Sequence, residues 1–174
     1  KELSFLVYGL GSTGLSVINF FRKNNIKKFY VWDDRNKKQF KKKRPVSLDK
    51  ILKKVHYIIL SPGVSLLKSK NRNKLRKYKK KIITDIDLIF LLKSDLKTIV
   101  VTGTNGKSTT CKILEHVLKR NNYKVLLGGN IGTPVLNLNI KKNNFLIVEA
   151  SSFQLSHSKF ISPDYALLLN ISTD

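Results

Sequence analysis

Two short glycine loops hold the residues best suited to phosphate chemistry. One comprises Gly103, Thr104, Asn105, Gly106, Lys107, Ser108 and Thr109, between a β-branched run and a helical pattern. A Gly-Lys-Ser turn in that setting brings an ammonium against the β- and γ-phosphates of a nucleoside triphosphate. It also offers the Ser108 hydroxyl to Mg²⁺ and wraps loop amides around the phosphate oxygens. Val101 stands where the usual pattern has its first glycine, so the loop is a shortened variant. The other loop, Gly9-Leu10-Gly11-Ser12-Thr13-Gly14, has the GxGxxG spacing that lets backbone amides at a helix start approach a diphosphate. Asp33 follows about 20 residues on, which suits a ribose hydroxyl of NAD. Asp34 and Arg35 come directly after it, however, and any nucleotide diphosphate would satisfy the same loop.

Glu149 closes an apolar run beside Ser151 and Ser152. A carboxylate at a strand end can hold magnesium or simply cap a helix. His56, His116 and His157 lack metal-ligand spacing, and Cys111, in the helix after the phosphate loop, reads as a buried inert thiol.

These groups need a scaffold, and the patterning supplies one. Leu3 to Gly9, Lys27 to Asp33 and Val55 to Leu60 read as buried strands, the first followed by a helix that ends near Asn24 and Asn25. A basic helix over Leu66 to Tyr78, a short strand over Lys81 to Thr84 and a helix over Asp85 to Leu92 follow. The pattern then restarts. Lys97 to Thr102, Tyr123 to Leu127, Phe145 to Glu149 and Tyr165 to Asn170 are strand candidates, with a helix from the phosphate loop to about Arg120 and a short one after Pro134. The expected fold is α/β: a Rossmann-like parallel-sheet domain over 1–92, then an incomplete P-loop ATPase-type α/β domain over 93–174.

Composition narrows the class. The 174 residues, 41% of them apolar, suffice for a packed core and argue against disorder. The net charge of +23 raises nucleic acid or an anionic membrane as partners. Yet 28 of the 34 basic residues are Lys, spread over every segment, which reads as a solvated surface; a phosphate or guanine reader favours the Arg fork. The basic stretches Lys37 to Arg44 and Lys68 to Lys81 take the same reading. A single cysteine excludes an internal disulfide, and there is neither a secretory leader nor an 18-residue apolar span. A soluble cytoplasmic monomer with no nucleic-acid or membrane partner is expected. The chain lacks Met altogether, so it reads as processed, trimmed or a fragment.

In this order and spacing, GLGSTG, DDR, SPG, TDIDL, VTGTNGKST, GGNIG and EASSFQL resemble the cytoplasmic Mur ligases of peptidoglycan synthesis, in their D-glutamate-adding branch. The alanine-adding branch usually has His where Asn105 stands. The resemblance implies a UDP-sugar domain, a central ATPase domain and a third domain that closes over ATP and binds the amino acid. It implies ATP and Mg²⁺ as cofactors, and UDP-N-acetylmuramoyl-L-alanine and D-glutamate as partners. Ser12, Thr13, Asp33, Asp34, Arg35 and Gly63 would line the UDP-sugar site, with Asn130, Ser151 and Ser152 facing the muramoyl group. Gly103 to Thr109 would bind ATP, Lys107 and Glu149 would be catalytic, and Ser108 and Glu149 would hold the metal.

Two departures stand out. Asp34 replaces the Thr or Ser frequent in the family, adding a negative charge at the uridine end, and Ala150 replaces a larger aliphatic residue. The family also continues past Asp174 with a histidine, a carbamylated lysine and a third domain, so this chain is expected to bind nucleotides without turnover. The alternatives are a truncated nucleotide-binding module, and an NAD-binding oxidoreductase domain, which would leave Lys107 unexplained.

Overall fold

The structure, a computed structural model, describes residues 2–36, 40–64, 69–92, 96–141 and 144–172. The chain forms two compact units, Lys1–Asp85 and Ile86–Asp174, each an α/β layer structure around a four-stranded parallel sheet.

In the first unit, β1 (Phe5–Tyr8) is the central strand and is buried throughout, as a parallel strand covered on both faces must be. Helix α1 (Ser12–Lys23) returns along the sheet to β2 (Phe29–Trp32). Helix α2 (Leu48–Lys54) leads to β3 (Tyr57–Leu60), and α3 (Arg72–Lys77) to β4 (Ile82–Ile83). The strand order is β2-β1-β3-β4. Val17, Ile18 and Phe21 are the buried face of α1, and the Phe21 ring lies 4.9 Å from Phe5 and 5.3 Å from Phe29. The Lys81 ammonium closes the end of α2 by donating to the carbonyls of Leu52, Lys53 and Val55 at 3.0, 2.8 and 2.7 Å.

In the second unit, α4 (Asp85–Leu92) is apolar around most of its surface, with Ile86, Leu88 and Ile89 buried. Its Asp87 carboxylate accepts the backbone N–H groups of Lys159 and Phe160 at 2.8 and 2.7 Å, which ties the helix to this unit. The remaining elements are β5 (Lys97–Thr102), α5 (Lys107–Arg120), β6 (Val125–Gly129), β7 (Phe145–Glu149), α6 (Ser152–His157) and β8 (Tyr165–Leu168), in the order β6-β7-β5-β8. Cys111, Leu114 and Leu118 of α5 pack on Ile99, Val101, Val125 and Ile147. Strand β8 lies at the edge, with Tyr165 and Leu168 exposed.

The division at Asp85 and Ile86 differs from the boundary at 92 and 93 read from the sequence, and the contacts of Asp87 are the physical reason. Of the basic helix expected over Leu66 to Tyr78, only Arg72–Lys77 is helical among the described residues, with Asn71 and Tyr78 as its caps; 65–68 lie outside the described residues, as do 37–39 of the first basic stretch. The turn after Pro134 is a single 3₁₀ turn, Val135–Asn137.

Candidate functional site

In each unit the first strand and its inner neighbour, β1 with β3 and β5 with β7, send their outgoing connections to opposite edges of the sheet. Such a reversal opens a crevice at the carboxyl ends of the strands. Both glycine loops lie there.

In the first unit the crevice is a cavity of about 700 Å³. Six of the residues singled out from the sequence line it: Ser12, Thr13, Asp33, Asp34, Arg35 and Gly63. Ser12 and Thr13 begin α1, whose first turn carries no acidic residue, so its amide end is electropositive. Gly14 lies so close to the Gly9 carbonyl that a Cβ has no room, and Gly9 itself has φ 98°. The Ser61 hydroxyl donates to the same Gly9 carbonyl at 3.0 Å and pins the turn.

The two adjacent aspartates do different work. Asp33 accepts the backbone N–H groups of Leu10, Arg35 and Asn36 at 2.7, 2.8 and 2.8 Å, and so joins the glycine loop to the loop after β2. Burial alone would raise its pKa, but those three donors and the nearby Arg44 charge outweigh burial and hold the carboxyl below its ordinary value. Asp34 accepts from Tyr8 Oη (2.9 Å to each oxygen), Trp32 Nε1 (3.0 Å), Ser69 Oγ (3.0 Å) and Asn71 Nδ2 (2.7 Å). Burial, with the Asp34 charge adding to it, pushes the Tyr8 phenol up to about 12 against the opposing pull of Ser69 and Asn71. Tyr8 is therefore a neutral donor throughout the physiological range.

In the second unit, Gly106 (φ 79°) turns the chain into α5. Lys107 folds back so that Nζ donates to the carbonyls of Gly103 and Thr104 at 2.6 and 2.7 Å. Ser108 donates to Glu149 Oε2 at 2.7 Å, and Asn130 Nδ2 reaches Glu149 Oε1 at 3.4 Å. Glu149 is buried at the end of β7, whereas Ser108 and Thr109 are exposed. Gly129 (φ 116°) rests against the Glu149 backbone, where a Cβ would collide, which brings the following Asn130 beside the carboxylate. Ser151 is the N-cap of α6, in a reciprocal capping box with Gln154, and Ser152 is its exposed first residue. Cys111 is fully buried beneath the loop, and burial with the Glu149 charge lifts its thiol to about 11, so it is no nucleophile.

Among the described residues no three His, Cys, Asp or Glu side chains gather as metal ligands. The two oxygens of Ser108 and Glu149 instead fit Mg²⁺, which keeps most of its waters and takes phosphate oxygens.

Sequence reasoning missed several participants. Tyr8, Ser61, Ser69 and Lys70 also line the first cavity; only Ser61, beside the Pro62-Gly63 turn, had a local signal. Asn170 was read merely as a strand end. Its Oδ1 accepts the Asn105 N–H at 2.9 Å, its Nδ2 donates to the Asn105 carbonyl at 3.1 Å, and its own carbonyl accepts the Thr104 N–H at 3.1 Å. The Ser172 N–H adds a bond to Thr104 Oγ1 at 3.1 Å.

Two doubly wound units, each with a glycine loop opening a helix at the reversal of its sheet, define an α/β protein. Residues 3–84 match the Mur ligase MurD-like N-terminal domain, and residues 101–174 match the Mur ligase middle domain. The chain belongs to the Mur ligase family. It is 39% identical over 184 residues to UDP-N-acetylmuramoylalanine--D-glutamate ligase of Buchnera aphidicola subsp. Schizaphis graminum, covering 97% of this chain and 40% of that protein. It is 40% identical over 176 residues to the enzyme of the same name from Francisella tularensis subsp. tularensis, covering 100% and 40%. The chain thus spans about two fifths of the length of these curated relatives. A solved UDP-N-acetylmuramate:L-alanyl-gamma-D-glutamyl-meso-diaminopimelate ligase from Neisseria meningitides shares the fold, with a TM-score of 0.53 and 15% identity over 100% of this chain and 62% of that one.

Proposed function

We propose that this chain forms the UDP-sugar-binding and ATP-binding parts of a ligase that joins D-glutamate to UDP-N-acetylmuramoyl-L-alanine in peptidoglycan synthesis. The observation that carries the reading is the grouping of Lys107, Ser108 and Glu149 at the open start of α5, in a chain whose first unit has its own nucleotide-sized cavity. The relatives that bear the name of that ligase support the choice of substrate.

In this reading ATP phosphorylates the alanyl carboxylate and the D-glutamate amine attacks the acyl phosphate. The chemistry depends on positioning and charge neutralisation. Lys107 exchanges its two carbonyl partners for phosphate oxygens, and the amides of the loop and of α5 meet the rest. Ser108 and Glu149, already in contact, would hold Mg²⁺, which would supply neutralisation of the transferring phosphoryl group. Asn130 orients Glu149. Arg35, exposed at the mouth of the first cavity, pairs with the diphosphate or uridine of the sugar nucleotide.

Calorimetric titration tests the reading. UDP-N-acetylmuramoyl-L-alanine should bind saturably and NAD⁺ should not, with Arg35→Ala weakening the sugar nucleotide by roughly tenfold or more. Mg-ADP should bind independently and be lost in Lys107→Ala. Binding of NAD⁺ alone would overturn the assignment of the first unit.

A further inference from the structure

We propose that Asp34 is a positioning residue of the first-unit cavity, whose carboxylate ties the Ser69–Asn71 wall to the ends of β1 and β2 and meets no ligand itself; this rests on the reading of that cavity as a uridine-diphosphate site. A carboxylate has about four acceptor positions. Four groups donate to this one: the Tyr8 hydroxyl from β1, the Trp32 indole from β2, and the Ser69 hydroxyl and Asn71 amide from the segment before α3. The segment is cross-linked as well, because the Asn71 N–H donates to Ser69 Oγ and the Asn71 amide also donates to Tyr8 Oη, both at 3.1 Å.

The consequence for the cavity follows from which residues line it. Tyr8, Ser69, Lys70 and Asp34 itself do, whereas Trp32 and Asn71 do not. Asp34 therefore sets where Ser69 and Lys70 present themselves, and its charge is spread over four donors instead of being directed at the base. Asp33, reached by three backbone donors among the described residues, is left as the carboxylate that answers a ligand N–H or O–H.

The opposite view, that Asp34 projects an anion into the site and repels the nucleotide, makes opposite predictions. Trp32 is the chain's single tryptophan, so its indole N–H is one resolved signal in a ¹⁵N spectrum and reports directly on Asp34. The experiment follows that signal and its solvent exchange in the 174-residue chain, in Asp34→Ala and in Asn71→Ala, and titrates each with UDP and with Mg-ADP. Asn71→Ala is the more conservative variant, since the side chain is only half-buried.

Both variants should weaken UDP by roughly tenfold, leave Mg-ADP affinity unchanged, and shift the indole signal while speeding its exchange. The shift in Asn71→Ala is the decisive sign, because the Asn71 amide and the indole N–H donate to the same Asp34 oxygen, Oδ1. An Asp34→Ala or Asp34→Asn chain that binds UDP as well as or more tightly than the unchanged chain overturns the proposal, and so does an Asn71→Ala chain with an unmoved indole. If the unchanged chain binds no UDP, the reading of the cavity fails, and the indole still decides whether Asp34 holds the wall.

Discussion

Asn170 illustrates how a single side chain can organise a phosphate loop without belonging to it. Its amide reads both backbone groups of Asn105, and its carbonyl takes the Thr104 N–H, so the two exposed peptides of the loop are held from the neighbouring strand. Asn170→Ala should weaken Mg-ADP by roughly tenfold while leaving UDP affinity unchanged, and Asn170→Asp, which keeps the acceptor and loses the donor, should fall between. Equal ADP affinity in all three chains would show that the loop holds its shape alone. Asp33 offers a second check. Its carboxyl lies below its ordinary 3.8 in the fold, so it stabilises the native state above that value, and the contribution is lost as pH falls through the folded pKa. Asp33→Asn should therefore melt below the unchanged chain at pH 7, with the gap narrowing under acid to below about pH 4. A gap that widens in acid would contradict the assignment. The neighbourhood of Lys107 and Ser108 was legible because spacing within one loop encodes it, and Glu149 because it closes an apolar strand run. Asn170, Tyr8 and Ser69 were not, because they reach their partners only after distant strands pair.

At the scale of elements, the glycines mark where two pieces of backbone must nearly touch. Gly14 in α1 has no space for a Cβ against the Gly9 carbonyl, so Gly14→Ala should cost about 3 kcal/mol or more in chemical denaturation and displace the cavity floor. Gly11→Ala, where nothing lies within 4 Å, should be near neutral and serves as the control. Strands such as Lys97–Thr102 and Phe145–Glu149 could be read residue for residue, since continuous β-branched runs between turns leave little choice. Helix α2 was overlooked, although Ser47 caps it through the Lys50 N–H and Leu48, Ile51 and Leu52 form its buried face. Its seven residues are too few for a periodicity to show amid lysines. The capping box of Ser151 and Gln154 was likewise written in the sequence, hidden by the functional reading given to Ser151.

For the molecule as a whole, +23 on 174 residues is the dominant long-range term. Among the described residues no helix is long and apolar enough to cross a membrane. Like charges at this density oppose compaction, and salt screens them over about 30 Å at 0.01 M but only about 8 Å at 0.15 M. The melting temperature should therefore rise by several degrees between about 10 and 300 mM NaCl, and not with an uncharged osmolyte at equal osmolarity alone. A flat salt profile would mean that the lysines are too dispersed to act together.

The clamp on the phosphate loop also imposes an order of events. Asn105 and Asn170 are 65 residues apart, so the loop acquires this clamp only after β8 has docked beside β5. During synthesis Lys107 leaves the ribosome well before the asparagine that fixes its surroundings. A chain halted short of Asn170 carries every residue of the loop and lacks the bonds that hold the Thr104 and Asn105 peptides.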